Sequence, residues 1–241
     1  MDESGVPSLD SPRRIGFFGG SFDPPHLGHL AVAQAARTAL ELDSVLFAPV
    51  GAQPLKPRGS TATFEQRLAM TGLAIAGEAA FSVSMADEPK ANDTPNYTWD
   101  TLQAVRSQSP PGSQLFFLMG ADSLASFRRW FRAAEIPFVA SLVVASRPGE
   151  QISDLKALFP SGLKMEADAS SSAATPHLRS YFVLGSDGAR APFYLLPDVE
   201  VEISASQIRE QIRNPHFPDS QAASHLSLPV LEYIRNHKLY L

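Results

Sequence analysis

The chain has 241 residues and no cysteine, so it can form neither disulfides nor cysteine-ligated zinc sites. It has no apolar run of membrane-spanning length and no apolar leader segment at its start. Basic residues are not in excess, since 20 Lys and Arg face 25 Asp and Glu, for a formal net charge of −5. This balance argues against a general nucleic-acid binder. We therefore expect a soluble, cytoplasmic protein that binds neither nucleic acid nor membrane.

Short apolar runs alternate with helical patterns along the chain, and 44% of the residues are hydrophobic. The predicted strands are Ile15–Phe18, Ser44–Ala48, Phe81–Ser84, Leu115–Met119, Ser141–Ala145 and Phe193–Leu196. This alternation predicts an α/β fold, a Rossmann-like parallel sheet with helices on both faces. We expect a flexible tail at 1–12 and a single domain at 13–241. That domain contains an excursion at about 161–190, where the pattern degrades into turns and a Ser/Ala-rich stretch.

The stretch Gly19–Leu30, GGSFDPPHLGHL, follows the first predicted strand. Glycines at a strand end let the backbone approach a ligand closely. We predict that Asp23 caps a helix beginning at Pro24, and that His26 and His29 share one face at its start. A helix N-terminus with two imidazoles offers several donors to an anion. The stretch is therefore predicted to bind phosphate.

Other motifs fit this stretch less well. No Gly-Lys-Ser/Thr follows the glycines, so it is not a P-loop, and it does not read GxGxxG. A metal pair remains an alternative, although HxxH supplies only two ligands and lacks the Glu of HExxH. Histidines that merely cap a helix or lie in solvent are a further alternative.

The pattern (S/T)-F-D-P-x-H-x-G-H after a first strand resembles the signature of the nucleotidyltransferase superfamily. Further blocks are similar to bacterial nicotinate-nucleotide adenylyltransferases, in the family's order and over most of residues 13–241. These blocks are Pro95–Leu102 (PNYTWDTL), Gly120–Leu124 (GADSL) with Trp130, Arg147–Gly149 (RPG), Ile203–Arg209 (ISASQIR), and Val230–Ile234 with Leu239–Tyr240.

The resemblance implies transfer of AMP from ATP to nicotinate mononucleotide, giving nicotinate adenine dinucleotide and pyrophosphate, a step of NAD biosynthesis. It implies that His26, His29, Lys56 and Arg209 are catalytic and contact phosphates, and that Mg²⁺ accompanies ATP with no protein ligand assigned. The implied ATP-binding residues are Gly19, Gly20, Ser21, Phe22, His26, His29, Gly120, Asp122, Ser204, Ser206 and Arg209.

The mononucleotide is expected at four other residues. Trp130 offers a flat face for the pyridine ring, Tyr97 and Thr98 hold the carboxylate, and Arg147 reaches a phosphate. Three departures from the family pattern stand out, and the first is that residues 161–190 exceed the family's usual length. Ser21 replaces the usual Thr, and Gln53-Pro54-Leu55-Lys56 replaces P-P-H-K, so no His precedes Lys56.

Three alternative functions stay open at this point. Another adenylyl- or cytidylyltransferase would use a different phosphate acceptor, a nucleotide-sensing module would bind without turnover, and a two-histidine metalloprotein would need a metal. The sequence leaves the oligomeric state open, with a homo-oligomer among the alternatives.

Overall fold

The chain folds into one mixed sheet with helices on both faces. The computed structural model describes residues 11–56, 59–146, 155–168, 177–199, 204–214 and 224–241. The strands are β1 (Arg14–Gly20), β2 (Ser44–Pro49), β3 (Phe81–Val83), β4 (Gln114–Gly120), β5 (Ser141–Ala145), β6 (Lys164–Ala167), β7 (Arg179–Leu184) and β8 (Arg190–Leu196). The α-helices are α1 (Leu27–Ala39), α2 (Phe64–Ile75), α3 (Thr98–Gln108), α4 (Ala121–Ser126), α5 (Ile136–Val139), α6 (Leu155–Leu158), α7 (Ala205–Arg213) and α8 (Leu228–Asn236).

The strand order is β3-β2-β1-β4-β5-β8-β7-β6. The first six strands in this order are parallel, β7 is antiparallel to β8, and β6 is antiparallel to β7. The predicted Rossmann-like parallel sheet is thereby confirmed. The chain leaves β1 toward β2 on one side and β4 adjoins β1 on the other, so the order of the strands switches between β1 and β4. Ligands of open parallel sheets bind beyond the carboxyl ends of the strands at such a switch.

Alternate residues of the central strands pack on opposite faces of the sheet. Phe17 and Phe117 join a core with Leu102 of α3 and Leu124 of α4. On the other face, Phe18 and Phe116 join a core with Val32 and Ala36 of α1. Because both faces are covered, these strands are apolar throughout, which explains why the sequence predicts them well.

A third core joins α2, α7 and α8, through buried Met70, Ile208, Val230 and Ile234. Tyr240, which follows α8, is 5% exposed and belongs to the same core. The end of the chain is therefore packed against helices that flank the first loop.

The segment 161–190 differs from its sequence prediction, because it contributes the strands β6 and β7 to the sheet. β6 is largely exposed and β7 is mostly half-buried, so neither shows a continuous apolar run. The Ser/Ala-rich stretch of this segment lies mainly outside the described residues. The division into a tail and one domain stays a prediction.

Two helix boundaries also differ from the prediction. A single helix is expected over 124–135, but α4 ends at Ser126 and a 3₁₀ turn (Phe127–Arg129) follows. Trp130 is extended and Arg132 has φ 51°, so neither continues a helix. The predicted cap at Asp23 is wrong: α1 begins at Leu27 with His26 as its N-cap. Residues that precede a proline disfavour helical backbone, and both Asp23 and Pro24 do so.

Candidate active site

A cavity of about 840 Å³ opens at the carboxyl ends of β1 and β4. β1 supplies its own last residues and the loop that leads into α1. β4 supplies Gly120, which is the N-cap of α4, and β2 supplies the loop after Pro49. The first turns of α3 and α7 complete the wall. The cavity therefore lies at the switch in strand order.

The cavity brings together the predicted site residues, apart from Arg147, which lies outside the described residues. Those lining it are Gly19, Gly20, Ser21, Phe22, His26, His29, Lys56, Tyr97, Thr98, Gly120, Asp122, Trp130, Ser204, Ser206 and Arg209. In the described part of the chain, no group of three or more His, Cys, Asp or Glu side chains could hold a metal ion.

His26 and His29 lie against each other at the start of α1, with ring centroids 3.8 Å apart. The main-chain N–H of His26 donates to Nδ1 of His29 at 3.1 Å. Nδ1 is therefore the acceptor of a neutral ring, and Nε2 carries the proton. Burial among Phe18 and Phe22, together with the charge of His26, holds the pKa of His29 well below its usual value. His29 is consequently a neutral hydrogen-bond donor at pH 7.

Phe22 packs against the His29 ring and has an unusual backbone conformation. It has φ 47°, in the left-handed region, and is 1% exposed. Its ring meets the His29 ring edge-on at 4.9 Å. Phe22 therefore contributes packing to the site, and the glycines before it leave the backbone accessible.

Lys56 reaches the end of β1 from the loop after β2. Its Nζ donates to Ser21 Oγ at 2.8 Å, and Ser21 Oγ donates to Gln53 Oε1 at 3.2 Å. Desolvation and the charges of Arg209 and Arg67 lower the pKa of Lys56, and Asp23 opposes them. Gln53 and Ser21 both depart from the family pattern, and the structure joins them by a hydrogen bond. The sequence did not predict this pairing.

Asp23 is buried and forms hydrogen bonds with several distant segments, and it does not cap a helix. Its carboxylate accepts from the main-chain N–H groups of Thr61 at 2.7 Å and Ala62 at 3.0 Å. It also accepts from the Tyr240 hydroxyl at 2.8 Å. Arg209 donates from Nη1 to the Asp23 main-chain oxygen at 2.6 Å. One residue of the first loop therefore binds three distant segments.

Arg209 lies in the first turns of α7, whose N-cap is Ser204. The Ser204 hydroxyl accepts from the main-chain N–H of Gln207, and Gln207 Oε1 accepts from the main-chain N–H of Ser204 at 2.9 Å. Arg209 Nη2 donates to Ser206 Oγ at 3.1 Å. The capping box fixes the direction of α7, and with it the guanidinium at the cavity.

Arg67 is a buried cation that the sequence analysis missed. It is 2% exposed and donates to the main-chain oxygens of Ser21 at 2.7 Å and Val50 at 2.8 Å. It therefore ties the ends of β1 and β2 together from α2. The only signal in the sequence is that Arg67 stands on the buried face of α2 beside Met70 and Thr71.

The other end of the cavity is aromatic. Trp130 is half-buried, meets Phe127 edge-on at 5.6 Å, and donates from Nε1 to Ser126 Oγ at 3.0 Å. Tyr97, the N-cap of α3, lies against Phe131 with centroids 4.6 Å apart. Thr98 is the first residue of α3, and the first amides of a helix have no partner within it. This end offers a flat face beside N–H groups that have no partner within α3.

A buried polar cluster that the sequence analysis also missed supports the start of α3. Asp87 accepts from the Thr101 hydroxyl at 2.7 Å, and burial raises the pKa of its carboxyl. The Asn96 amide donates to the main-chain oxygens of Asp87 and Glu88, and its Oδ1 accepts from Ala52 N–H at 2.9 Å. These bonds hold the loop after β2 against the residues that precede Tyr97.

The fold and this cavity define the class of protein. Residues 17–211 match the family model described as Cytidylyltransferase-like, a nucleotidyltransferase class. The chain also superposes on the Plasmodium falciparum nicotinic acid mononucleotide adenylyltransferase complexed with NaAD, with a TM-score of 0.68 over 95% of this chain and 97% of that one. The identity between the two is 15%, so the likeness concerns the fold.

Curated relatives narrow the class. A protein of Pelobacter propionicus named "Probable nicotinate-nucleotide adenylyltransferase" is 34% identical over 94% of this chain and 98% of its own length. One of the same name from Gloeobacter violaceus is 34% identical over 94% of this chain and 96% of its own length. The chain belongs to the nicotinate-nucleotide adenylyltransferase family. The predicted family, enzyme class and reaction in NAD biosynthesis are thereby confirmed.

Proposed function

We propose that the cavity binds ATP at its histidine-lined end and nicotinate mononucleotide at its aromatic end. The observation that carries this proposal is that one cavity joins the two ends. His26, His29, Lys56 and Arg209 line one part, and Trp130 with the start of α3 lines another. A dinucleotide product has an adenosine half and a pyridine half joined through phosphates, and it needs such a divided site.

In the reaction, an oxygen of the mononucleotide phosphate attacks the α-phosphorus of ATP. A new P–O bond forms there as the bond to the β-phosphate oxygen breaks, and pyrophosphate leaves. The attacking phosphate is already ionised at neutral pH, so the site needs alignment and charge stabilisation rather than a strong base. Mg²⁺ enters as part of the ATP substrate, bound to phosphate oxygens.

The charges of the site suit this task. Lys56, Arg67 and Arg209 all lie near the carboxylate of Asp23. The neutral His29 adds an Nε2–H donor without adding charge. Lys56 extends from a loop, so its ammonium can follow the phosphates as they separate. We assign Ser204 and Ser206 to hydroxyl contacts with the nucleotide, and Gly120 and Asp122 to its ribose side.

The test is a product assay with ATP and Mg²⁺ against nicotinate mononucleotide, nicotinamide mononucleotide and a pantetheine phosphate. Pyrophosphate release is followed, and mass spectrometry identifies the product. We expect nicotinate adenine dinucleotide to be the main product. Binding of ATP without pyrophosphate release would favour a nucleotide-sensing module instead. Faster turnover with the pantetheine phosphate would overturn the assignment of the aromatic end.

A further inference from the structure

The Asp23 carboxylate lies beside the proposed phosphate site, yet it is held away from the nearest cation. Asp23 is 3% exposed, and its Oδ2 lies 3.7 Å from Nη1 of Arg209, beyond hydrogen-bond distance. The donors to the carboxylate are instead the amides of Thr61 and Ala62 and the hydroxyl of Tyr240. These three hydrogen bonds satisfy both carboxylate oxygens without Arg209.

Tyr240 stands 217 positions from Asp23 and is 5% exposed. Its ring packs in the core formed by α2, α7 and α8. Burial, and next the charge of Asp23, raise the pKa of the Tyr240 phenol above its usual value. The hydroxyl is therefore protonated throughout the working pH range and can only donate to the carboxylate.

Arg209 is anchored by neutral partners. Its Nη1 donates to the main-chain oxygen of Asp23 at 2.6 Å, and its Nη2 donates to Ser206 Oγ at 3.1 Å. A guanidinium has five N–H donors, so these two bonds leave others for a phosphate. Arg209 and the Asp23 carboxylate form an ion pair at 3.7 Å without a direct hydrogen bond, so the carboxylate does not take up the N–H donors of Arg209.

We propose that Tyr240 is a positioning residue, which keeps the Asp23 carboxylate from hydrogen bonding directly to Arg209, so that Arg209 keeps its remaining N–H donors for the ATP phosphates. The proposal rests on the proposed function of the same cavity. Tyr240 touches no substrate itself and acts through Asp23 and Arg209. Through Asp23, Tyr240 thereby affects the donors available in a site built around residues 19–29.

Tyr240→Phe keeps the ring and removes the hydroxyl. Asp23 Oδ1 then retains only the Ala62 amide as donor, and the carboxylate gains by closing on Arg209. The closer pair competes with phosphate for the guanidinium. We expect kcat to fall about tenfold, the scale of one lost charge-assisted hydrogen bond, with the Kd of nicotinate mononucleotide unchanged.

The test is a double-mutant cycle of Tyr240→Phe with Arg209→Ala. If Tyr240 acts through Arg209, the hydroxyl loses its effect once Arg209 is absent, and the double variant has the kcat of Arg209→Ala alone. The proposal is overturned if the two substitutions lower kcat independently, so that their factors multiply in the double variant. It is also overturned if Tyr240→Phe keeps wild-type kcat. Tyr233→Phe is the matched control, because Tyr233 packs against the same core but stacks on His237, and it should keep kcat.

A second measurement does not depend on turnover. The Nε–Hε signal of Arg209 in NMR spectra of the substrate-free protein should shift in Tyr240→Phe and stay in place in Tyr233→Phe. An unchanged signal in folded Tyr240→Phe would contradict the positioning role. A wild-type enzyme that transfers no AMP would instead overturn the proposed function, and the Arg209 signal would still decide the role of Tyr240.

Discussion

At the scale of single residues, His29 shows how local bonds set a protonation state. The main-chain N–H of His26 occupies Nδ1 of His29, and burial disfavours the charged ring. We expect the NMR signals of His29 not to titrate between pH 8 and pH 6. The unfolded chain takes up this proton near pH 6.5 and the folded protein only at lower pH. Through His29, the free energy of unfolding therefore falls as the pH decreases below about 6.5. Titration of His29 near pH 6.5 would contradict this prediction.

Removal of the His29 ring should affect the reaction much more than the fold. Loss of one preorganised donor at developing charge costs about a hundred- to a thousandfold in rate. We expect His29→Ala to lose kcat on this scale while its circular dichroism spectrum stays unchanged. His237→Ala, at an exposed ring outside the cavity, is the control and should keep wild-type kcat. A folded His29→Ala protein with near wild-type kcat would show that His29 does not stabilise the phosphates in the reaction.

The two cations of the phosphate end should matter for transfer more than for acceptor binding. Lys56→Ala and Arg209→Ala each remove charge that we assign to the triphosphate and the departing pyrophosphate. We expect kcat to fall by at least about tenfold in each, with a much smaller change in the Kd of nicotinate mononucleotide. Arg213→Ala, one turn further along α7 and outside the cavity, is the matched control. If calorimetry shows that acceptor binding falls as much as turnover, the cations belong to the acceptor.

At the scale of elements, we expect the start of α3 to determine which mononucleotide fits. The N–H groups at the start of α3, near Tyr97 and Thr98, have no partner within the helix and suit the two oxygens of a carboxylate, whereas they would meet an amide NH₂ donor to donor. We expect wild-type kcat/KM to favour nicotinate mononucleotide over the nicotinamide form by about a hundredfold or more. Comparable kcat/KM for both substrates would refute the assignment of these donors.

Trp130 should contribute to the affinity for both mononucleotides and not to the choice between them, because its ring face can stack on either pyridine ring. Its indole is held in place by Ser126 and Phe127, so the face is preorganised. Trp130→Ala is therefore expected to raise KM for both mononucleotides and to leave their kcat/KM ratio near the wild-type value. A change in the ratio alone would place Trp130 at the carboxylate.

At the scale of the whole molecule, β6 and β7 stabilise the sheet without reaching the cavity. In the described part of 161–190, no residue lines the cavity, but Val183 of β7 is fully buried beside Phe159 and Phe193. We expect Val183→Ala to lower the free energy of unfolding by about 2 kcal/mol, with kcat unchanged. Chemical denaturation and the product assay measure the two effects. Lys164→Ala, on the exposed edge strand, should change neither.

A loss of kcat in folded Val183→Ala would show that the added strands contribute to the site. For the same reason, a deletion of 161–190 should leave chemistry intact in the folded fraction but lower stability. It removes the partner strand of β8 and uncovers Phe193.

The sequence by itself determined the parallel strands, and it predicts a phosphate-binding stretch at 19–30. Both rest on neighbouring residues: a continuous apolar run predicts a strand buried on both faces, and two histidines three apart at a helix start predict an anion site. It also placed the site, because the ends of parallel strands meet at one edge of a sheet.

Only the tertiary structure decided the partners of Asp23, the role of Arg67 and the strands of 161–190. The bonds of Asp23 to Arg209 and Tyr240 join residues 186 and 217 positions apart, and such contacts leave no periodic trace in the sequence. In the sequence, the buried Arg67 cannot be distinguished from an arginine on the surface, because the main-chain oxygens that accept its hydrogen bonds are brought to it only by the fold. Half-exposed antiparallel strands lack a continuous apolar run, so their pairing with β8 depends on a surface that exists only once the sheet has formed.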